Sequence, residues 1–257
     1  MWDWLPSFLD LRSRCVPAAM VTVVRCSGST PTAPGARMAV LRDGSIRGTI
    51  GGGHLEQLVI ADALACIGGA GEAQMHRYPL GATAGQCCGG VVEVLVEALN
   101  VGPVLYLFGV GHVGQAVCRA LVGTPFVVHA IDERPEWSSA VPDEVHRHAV
   151  PWDEFVGDAI WSAERTYVAI MTHRHDLDEA IVADVVGRPT RYVGLIGSQT
   201  KWRRFRDRLE SRGVSPAALD RVHCPIGLDI GGKSPPEVAV SVAAQLLAVH
   251  HGRPAGG

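Results

Sequence analysis

The feature that most constrains the fold is a glycine-rich turn between an apolar run and an amphipathic run. Val104–Phe108 (VLYLF) leads into Gly109, Gly111 and Gly114 at G-x-G-x-x-G spacing, and an amphipathic run begins at Val113. The first glycine lets the chain reverse, the second lets backbone amides approach a diphosphate, and the third lets helix pack on strand. The pattern predicts a strand, a tight turn and a helix whose N-terminus favours an anion.

A second apolar run and an acidic residue extend this pattern. Phe126–Ile131 (FVVHAI) ends in Asp132, about 20 residues beyond the glycines, where a carboxylate can accept hydrogen bonds from a ribose. Strand, helix, second strand and acid in this order predict a Rossmann-like unit, with His112 beside a bound ligand. The alternative is that the glycines only permit tight packing and that nothing binds.

A second glycine-rich loop occurs earlier in the chain. Gly51, Gly52 and Gly53 precede a helical pattern, and His54 stands at the helix entry. Amides at such a helix start can cradle an anion, and the histidine can bond a ligand oxygen. The alternative is a sterically tight turn with a histidine that caps the helix or faces solvent.

Two adjacent cysteines lie in the most unusual loop. Cys87 and Cys88 are flanked by glycines in GATAGQCCGG, where nearby amides can lower a thiol pKa. A thiolate suits a soft metal or sulfur transfer. The alternative is that both are small apolar fillers, the usual role of free cysteine. The sequence does not separate the two cysteines.

Polar residues follow two later apolar runs. Thr166–Met171 (TYVAIM) precedes His173 and Asp178, which suit acid–base work or metal binding at a strand end. The alternative is that Asp176 caps a helix predicted over 177–186 and that the histidines are solvated. Ser198 and Lys201 open a basic amphipathic helix and suit a phosphate.

The alternation of elements predicts the architecture. Residues 101–257 alternate apolar strands and helices, which predicts an α/β domain with a parallel sheet and helices on both faces. Residues 1–100 predict a smaller α+β domain with hairpins, in which residues 25–35 form a loop.

Composition excludes several classes of function. The 257 residues carry a net charge of −3, which gives no reason to expect nucleic-acid binding. No apolar run is long enough to span a membrane. The start of the chain has no signal-peptide pattern and the seven cysteines have no C-x-x-C spacing, so reduced thiols in the cytoplasm are expected.

Several sequence blocks, in this order and spacing, resemble the XdhC/CoxI family over nearly the whole chain. The blocks are SGSTPTAPGARM, GTIGGGHLE, GQCCGG, FGVGHVGQA, IDERPE, THRHDLD, YVGLIGSQTK and CPIGLDIGGKSPPEVAVS. Each is common alone, whereas the combination is specific. The sequence departs from the family pattern at STPT, where many relatives have a proline–arginine pair, and slightly at DIGGK.

The resemblance implies a role in maturing molybdenum hydroxylases such as xanthine dehydrogenase. It implies a homodimeric carrier, not an enzyme with its own catalytic residues. Such a carrier binds molybdenum cofactor, supports replacement of a molybdenum oxo ligand by sulfido with a cysteine desulfurase, and delivers the product to the apoenzyme. The adjacent cysteines resemble the XdhC branch, so Cys87 or Cys88 is the expected ligand near molybdenum, with the glycine loops around the phosphate.

Two rival functions use the glycine turn at residues 109–114. One is an NAD(P)-dependent oxidoreductase with Asp132 on the ribose, although no separate catalytic set is evident. The other is a binding module that senses a nucleotide and has no chemistry of its own.

Overall fold

The chain forms two compact units, which divide between Val101 and Gly102. The computed structural model describes residues 4–13, 16–68, 73–80 and 89–256. Each unit is built on a sheet of its own.

The first unit contains an antiparallel sheet. Its described elements are α1 (Leu5–Ser13), β1 (Ala18–Ser27), β2 (Arg37–Leu41), β3 (Ile46–Thr49), α2 (Gly53–Gly68), β4 (Gln74–Pro79) and β5 (Val91–Leu99). The strand order is β3-β2-β1-β5-β4, and every neighbouring pair is antiparallel. Alternate residues of β5 are buried, as a two-residue period requires, and they pack with Leu55 and Val59 of α2 in one core.

The prediction of a loop over residues 25–35 is wrong at its start. Strand β1 continues to Ser27, and its last residues pair with the beginning of β5, including Cys26 with Val92. The register shifts between Val23 and Arg25, so the strand crosses an irregularity and then resumes. Pairing with a distant strand overrides the local turn composition there.

The second unit is built on a parallel sheet. Its strands are β6 (Val104–Phe108), β7 (Val127–Ile131), β8 (His146–His148), β9 (Thr166–Ile170), β10 (Tyr192–Leu195) and β11 (Val222–His223). Its described helices are α3 (His112–Leu121), α4 (Pro135–Ser138), α5 (Trp152–Asp158), α6 (His175–Val185), α7 (Gln199–Ser211), α8 (Pro216–Leu219) and α9 (Pro235–His250). All neighbouring strands are parallel.

The strand order confirms the predicted Rossmann-like fold. The sheet reads β11-β10-β9-β6-β7-β8, which is the 3-2-1-4-5-6 order of the doubly wound dinucleotide-binding fold read from its other edge. The direction of progression reverses between β6 and β9. Ligands of such sheets bind at the carboxyl ends of the strands beside this reversal.

Helices cover both faces of the parallel sheet. One core packs α3 and α9 on one face, and a second core packs α5, α6 and α7 on the other. Every residue of β6 and of β9 is buried, as expected for strands covered on both sides. No helix in the described part of the chain is long and apolar enough to cross a membrane.

One helix boundary in this unit corrects the prediction. Helix α6 begins at His175 and not at Leu177, because its polar first turn adds nothing to the apolar period from which the start was predicted. A short helix, α4, follows β7. Pro135 is its first residue, a position that proline tolerates because it lacks an N–H.

Candidate functional site

Two of the three glycines after β6 are explained by packing. Gly109 has a φ of +96°, and a Cβ there would lie 2.4 Å from the carbonyl oxygen of Met171. A Cβ on Gly114 would lie 2.2 Å from the carbonyl oxygen of Gly109. Glycine is required at both positions by the fold itself.

The middle glycine has no such explanation. Gly111 has a φ of −67°, which any residue adopts, and a Cβ there would meet no atom within 4 Å. Gly111 is also the N-cap of α3, where it has no side chain to accept a hydrogen bond from the first helical turn. The space beside Gly111, at the positive end of α3, is therefore open to a side chain or a ligand.

The acid after β7 is fully engaged by the protein. Asp132 Oδ2 accepts hydrogen bonds from the Val110 amide at 2.9 Å and from Arg134 Nη2 at 2.7 Å. Its Oδ1 accepts from Nε and the backbone amide of Arg134, at 2.8 Å and 3.1 Å. Burial alone would raise the pKa of Asp132, but the Arg134 and Val110 hydrogen bonds outweigh it and lower the pKa. A ribose could bond this carboxylate only by displacing one of these donors.

A small cleft that is open to solvent lies at the carboxyl ends of β6, β7 and β9. Its residues come from the ends of β6, β7 and β9, from helices α5 and α6 and from the segment before α5: Phe108, Gly109, Ile131, Asp132, Glu133, Val150, Trp152, Thr172, His173, Leu177 and Ile181. The lining combines apolar side chains, which include aromatic rings, with a polar rim. Its apolar residues Phe108, Ile131 and Ile181 are almost fully buried, so the polar groups of the rim form most of its accessible surface.

The two predicted histidines lie on the outer side of this region. His173 is exposed and lines the cleft. His112 is the first residue of α3, and its ring packs edge-on against Trp137 with 5.1 Å between ring centroids. Of the predicted residues in this unit, Gly109, Asp132 and His173 are thus brought to one cleft.

Three other predicted residues form a second cluster beside it. Asp178 is fully buried, and its Oδ2 accepts from Lys201 Nζ at 2.7 Å. Its Oδ1 accepts from the Thr172 hydroxyl at 2.7 Å and from the Thr172 amide at 3.0 Å. Ser198 caps α7 by accepting from the Lys201 amide. The Lys201 ammonium is therefore held in a buried ion pair and is not presented to a phosphate.

A cysteine that the sequence did not single out lies near this ion pair. Cys224 is half-buried, and its Sγ lies 3.6 Å from the carbonyl oxygen of Gly197. Burial raises the pKa of the Cys224 thiol to about 11, with Lys201 lowering the pKa and Asp178 raising it. The thiol stays protonated at neutral pH, so it is a poor nucleophile.

The glycine loop of the first unit is closed by a carboxylate from its own helix. Glu56 Oε1 accepts from the amides of Ile50 and Gly52, both at 3.1 Å, and from the Thr49 hydroxyl at 2.6 Å. Gly51 is held by packing, since a Cβ there would lie 2.9 Å from the carbonyl oxygen of Pro31. Gly53 and His54 open α2. Two amides of the predicted cradle thus already bind an anionic group of the protein.

The adjacent cysteines Cys87 and Cys88 lie outside the described residues. Their predicted role as ligands near molybdenum remains a prediction.

Sequence reasoning missed three side chains that define these loops: Glu56, Arg134 and Trp152. Arg134 stands only two residues after Asp132, so a local carboxylate–guanidinium pair was available as a signal. Glu56 carries the weaker signal of a carboxylate in the first turn of a helix. Trp152 carries none, because a tryptophan at a helix start is equally typical of core packing.

The fold defines an α/β protein of two compact units, one of them a Rossmann unit with a cleft at the carboxyl ends of its strands. Matches to known families make this assignment specific. Residues 105–246 match the XdhC Rossmann domain, and residues 11–79 match the XdhC and CoxI family. The chain belongs to the XdhC/CoxI family, as the sequence blocks predicted.

Individual relatives agree with this assignment. The chain is 33% identical over 254 residues to the uncharacterized protein YqeB of Escherichia coli, covering 96% of the chain and 46% of YqeB. It is 24% identical over 156 residues to a probable xanthine dehydrogenase subunit of Bacillus subtilis, covering 60% of the chain and 45% of that protein. The chain thus spans about half the length of these relatives.

A solved structure shares the fold. A crystal structure of a xanthine dehydrogenase from Bacillus halodurans superposes with a TM-score of 0.51 at 20% identity. The match covers 97% of this chain and 96% of that one. The fold of the chain therefore recurs in a protein of distant sequence.

Proposed function

We propose that this protein is an accessory protein that binds molybdenum cofactor, supports its sulfuration and delivers it to a molybdenum hydroxylase such as xanthine dehydrogenase. Membership of the XdhC/CoxI family and the xanthine dehydrogenase name of the Bacillus subtilis relative support an accessory role for that class of enzyme. The cofactor itself is a pterin that carries a phosphate and a dithiolene-bound molybdenum, which is the seat of the hydroxylase chemistry.

The observation that carries the proposal is the open glycine at the start of α3. Gly109 and Gly114 are glycine for steric reasons, whereas nothing in the described fold requires glycine at Gly111. A residue without a side chain at a helix N-terminus leaves its amides accessible to a phosphate. The residues present therefore fit the phosphate of the cofactor, with Gly111 and the first turn of α3 as its binding groups.

The metal end needs a different ligand. Molybdenum bonded to sulfur prefers soft donors, and a cysteine thiolate is the softest that a protein offers. The buried thiols Cys66 and Cys118 are unsuitable, because burial raises the pKa of both. The proposed donor is Cys87 or Cys88, which glycines flank in the sequence.

Three partners complete the proposal. The apo form of a molybdenum hydroxylase receives the cofactor, a cysteine desulfurase supplies the sulfur, and a second copy of this chain forms a homodimer. Light scattering tests the homodimer by a mass twice that of the chain. Pull-down with a purified desulfurase and with an apo-hydroxylase tests the other two.

The nicotinamide-dependent alternative is less well supported by the geometry. It relied on Asp132 as the ribose acceptor, and that carboxylate already accepts four hydrogen bonds from Val110 and Arg134. An NADH titration distinguishes the two functions, because tight binding with hydride turnover would favour the oxidoreductase.

The direct test is anaerobic binding of molybdenum cofactor to purified wild type and to Cys87→Ala/Cys88→Ala, with folding checked by circular dichroism. Stoichiometric binding by wild type and at least tenfold weaker binding by the folded double variant would support the carrier and its thiol ligand. Equal binding by both would remove the thiol from the proposal. Absence of binding by wild type would overturn the function. Cys224→Ala is the control, because that thiol is protonated and should not affect binding.

A further inference from the structure

A buried ion pair joins α6 and α7 to the end of β10. Asp178 of α6 is fully buried, and its Oδ2 accepts a hydrogen bond from Lys201 Nζ at 2.7 Å. The Lys201 ammonium also donates to the carbonyl oxygen of Ile196, directly after β10, at 3.2 Å. Only 14% of the Lys201 side chain is exposed. The lysine therefore holds the Asp178 carboxylate in one orientation at the carboxyl edge of the sheet.

The second oxygen of this carboxylate fixes a residue of the neighbouring strand end. Asp178 Oδ1 accepts hydrogen bonds from the Thr172 hydroxyl at 2.7 Å and from the Thr172 amide at 3.0 Å. Thr172 is the second residue after β9. Because backbone and side chain are bound by the same oxygen, Thr172 cannot move without breaking two hydrogen bonds to a buried charge.

The backbone of Thr172 packs against the glycine turn after β6. A Cβ on Gly109 would lie only 2.6 Å from Thr172 Cα, so the two backbones are in direct contact. On its other side, the turn is held by the Gly109 amide, which donates to the carbonyl oxygen of Ile131 at 2.9 Å. Close-packed groups transmit displacements, so the position of Thr172 sets that of Gly109 and of Gly111 two residues later.

Stability alone does not account for the ion pair. Replacing a buried ion pair by apolar side chains of similar size is often neutral or stabilising, because both charges must be removed from water. What the charged pair adds is direction, since a carboxylate oxygen with fixed partners sets both the distance and the angle of the groups that it binds. The arrangement at Asp178 therefore indicates a positioning role.

We propose that Asp178, oriented by Lys201, is a positioning residue for the glycine turn: through Thr172 it fixes Gly109 and thereby the amides beside Gly111. The inference rests on the proposed function, which assigns those amides to the phosphate of the cofactor. Asp178 and Lys201 act through Thr172 and do not touch the phosphate themselves.

The test compares two double variants that both remove the ion pair without leaving a single charge buried. Asp178→Leu/Lys201→Met also removes the acceptor for Thr172. Asp178→Asn/Lys201→Met keeps an acceptor, because the amide oxygen of asparagine can bond Thr172. The control is Asp184→Leu/Arg188→Met, which removes another ion pair of α6, one that lies at the opposite end of the helix. Circular dichroism and urea unfolding establish that each variant is folded.

Hydrogen exchange of the Gly109 and Val110 amides, followed by NMR, reports the turn without any ligand. Both amides should exchange at least tenfold faster in Asp178→Leu/Lys201→Met than in wild type. The asparagine variant and the control should stay within about twofold of wild type. If the leucine variant does not fold, Thr172→Val replaces it, because it removes only the hydroxyl donor, and the same amides should exchange at least threefold faster.

Unchanged exchange of the Gly109 and Val110 amides in the folded leucine variant would overturn the inference. So would equal acceleration in the asparagine variant, because the charge and not the contact with Thr172 would then matter.

Anaerobic retention of molybdenum cofactor by the same variants separates the two proposals. Retention should fall at least tenfold in Asp178→Leu/Lys201→Met and recover in Asp178→Asn/Lys201→Met. If the leucine variant exchanges faster at the turn and still retains the cofactor as wild type does, the carrier function stands and the positioning role is wrong. If wild type does not retain the cofactor, the carrier function fails, and the exchange rates still decide whether Asp178 fixes the turn.

Discussion

The two glycine-rich loops look alike in sequence and differ in what occupies their amides. In the first unit, Glu56 turns back and accepts hydrogen bonds from two amides of the loop before α2. In the second unit, Asp132 accepts from the loop amide of Val110, and the chain at Gly111 stays open. Both loops satisfy the general preference of a helix N-terminus for negative charge. The second loop also leaves room for negative charge from outside the protein.

The comparison shows how a glycine-rich helix start can be interpreted. The loop by itself does not predict an anion site, because the protein can supply the anion. The informative residue is a glycine that neither its φ nor its neighbours explain. By that criterion Gly111 points to a ligand, whereas Gly51 is explained by its φ of +113° and its contact with Pro31.

The largest predicted loss of stability comes from replacing Gly114, the glycine of the second loop that packing requires. Gly114→Ala should destabilise the Rossmann unit by about 3 kcal/mol or more, because its Cβ would overlap the carbonyl of Gly109. Urea unfolding followed by tryptophan fluorescence measures the change. Gly157→Ala is the control, since a Cβ there meets no atom within 4 Å. Equal stability of the two variants would show that packing does not require Gly114.

Acid should destabilise the Rossmann unit more than the first unit. His129, His146 and His148 of the Rossmann unit all have lowered pKa values because of burial, that of His129 reaching about 3. The unfolded chain therefore binds protons first, and stability that is complete above pH 6.5 falls as the pH drops towards 3. His129 alone accounts for about 2 kcal/mol between about pH 6.5 and about pH 5.

Hydrogen exchange measured at about pH 6.5 and at about pH 5 shows which amides lose protection as stability falls. Amides of the Rossmann unit should lose more protection on acidification than those of the first unit. His129→Phe should flatten the dependence, because it removes the most strongly depressed pKa of the three histidines. A pH profile unchanged by this substitution would contradict the assignment.

A smaller effect is expected from removing Glu56, which should leave the first loop as open to an external anion as the second. Glu56→Ala frees the amides of Ile50 and Gly52 and should cost about 1–2 kcal/mol. Added sulfate should then stabilise the variant more than wild type, because the vacated amides can bind it. Thermal unfolding with and without sulfate measures this. Glu144→Ala, at an exposed position, should show neither change. Destabilisation without a sulfate response would show that the freed loop is no anion site.

Sequence patterns predicted the parallel sheet well, because fully buried strands such as Val104–Phe108 are continuous apolar runs. Sequence patterns could not show which of the three glycines in the second loop are required by packing. Gly109 is fixed by Met171, a residue of another strand end, and the same letter at Gly111 has no such neighbour. They also could not show that Asp132 is committed to Arg134, because that depends on side-chain direction within a turn.

The most informative single measurement is anaerobic retention of molybdenum cofactor by Gly111→Ala, compared with wild type and Gly157→Ala. Alanine at Gly111 should leave the fold intact, at a cost below about 1 kcal/mol for a weaker N-cap, because its φ is ordinary and its surroundings are open. We expect at least tenfold weaker retention by folded Gly111→Ala and unchanged retention by Gly157→Ala. Retention equal to wild type in Gly111→Ala would refute the proposal that this open glycine holds the phosphate of the cofactor.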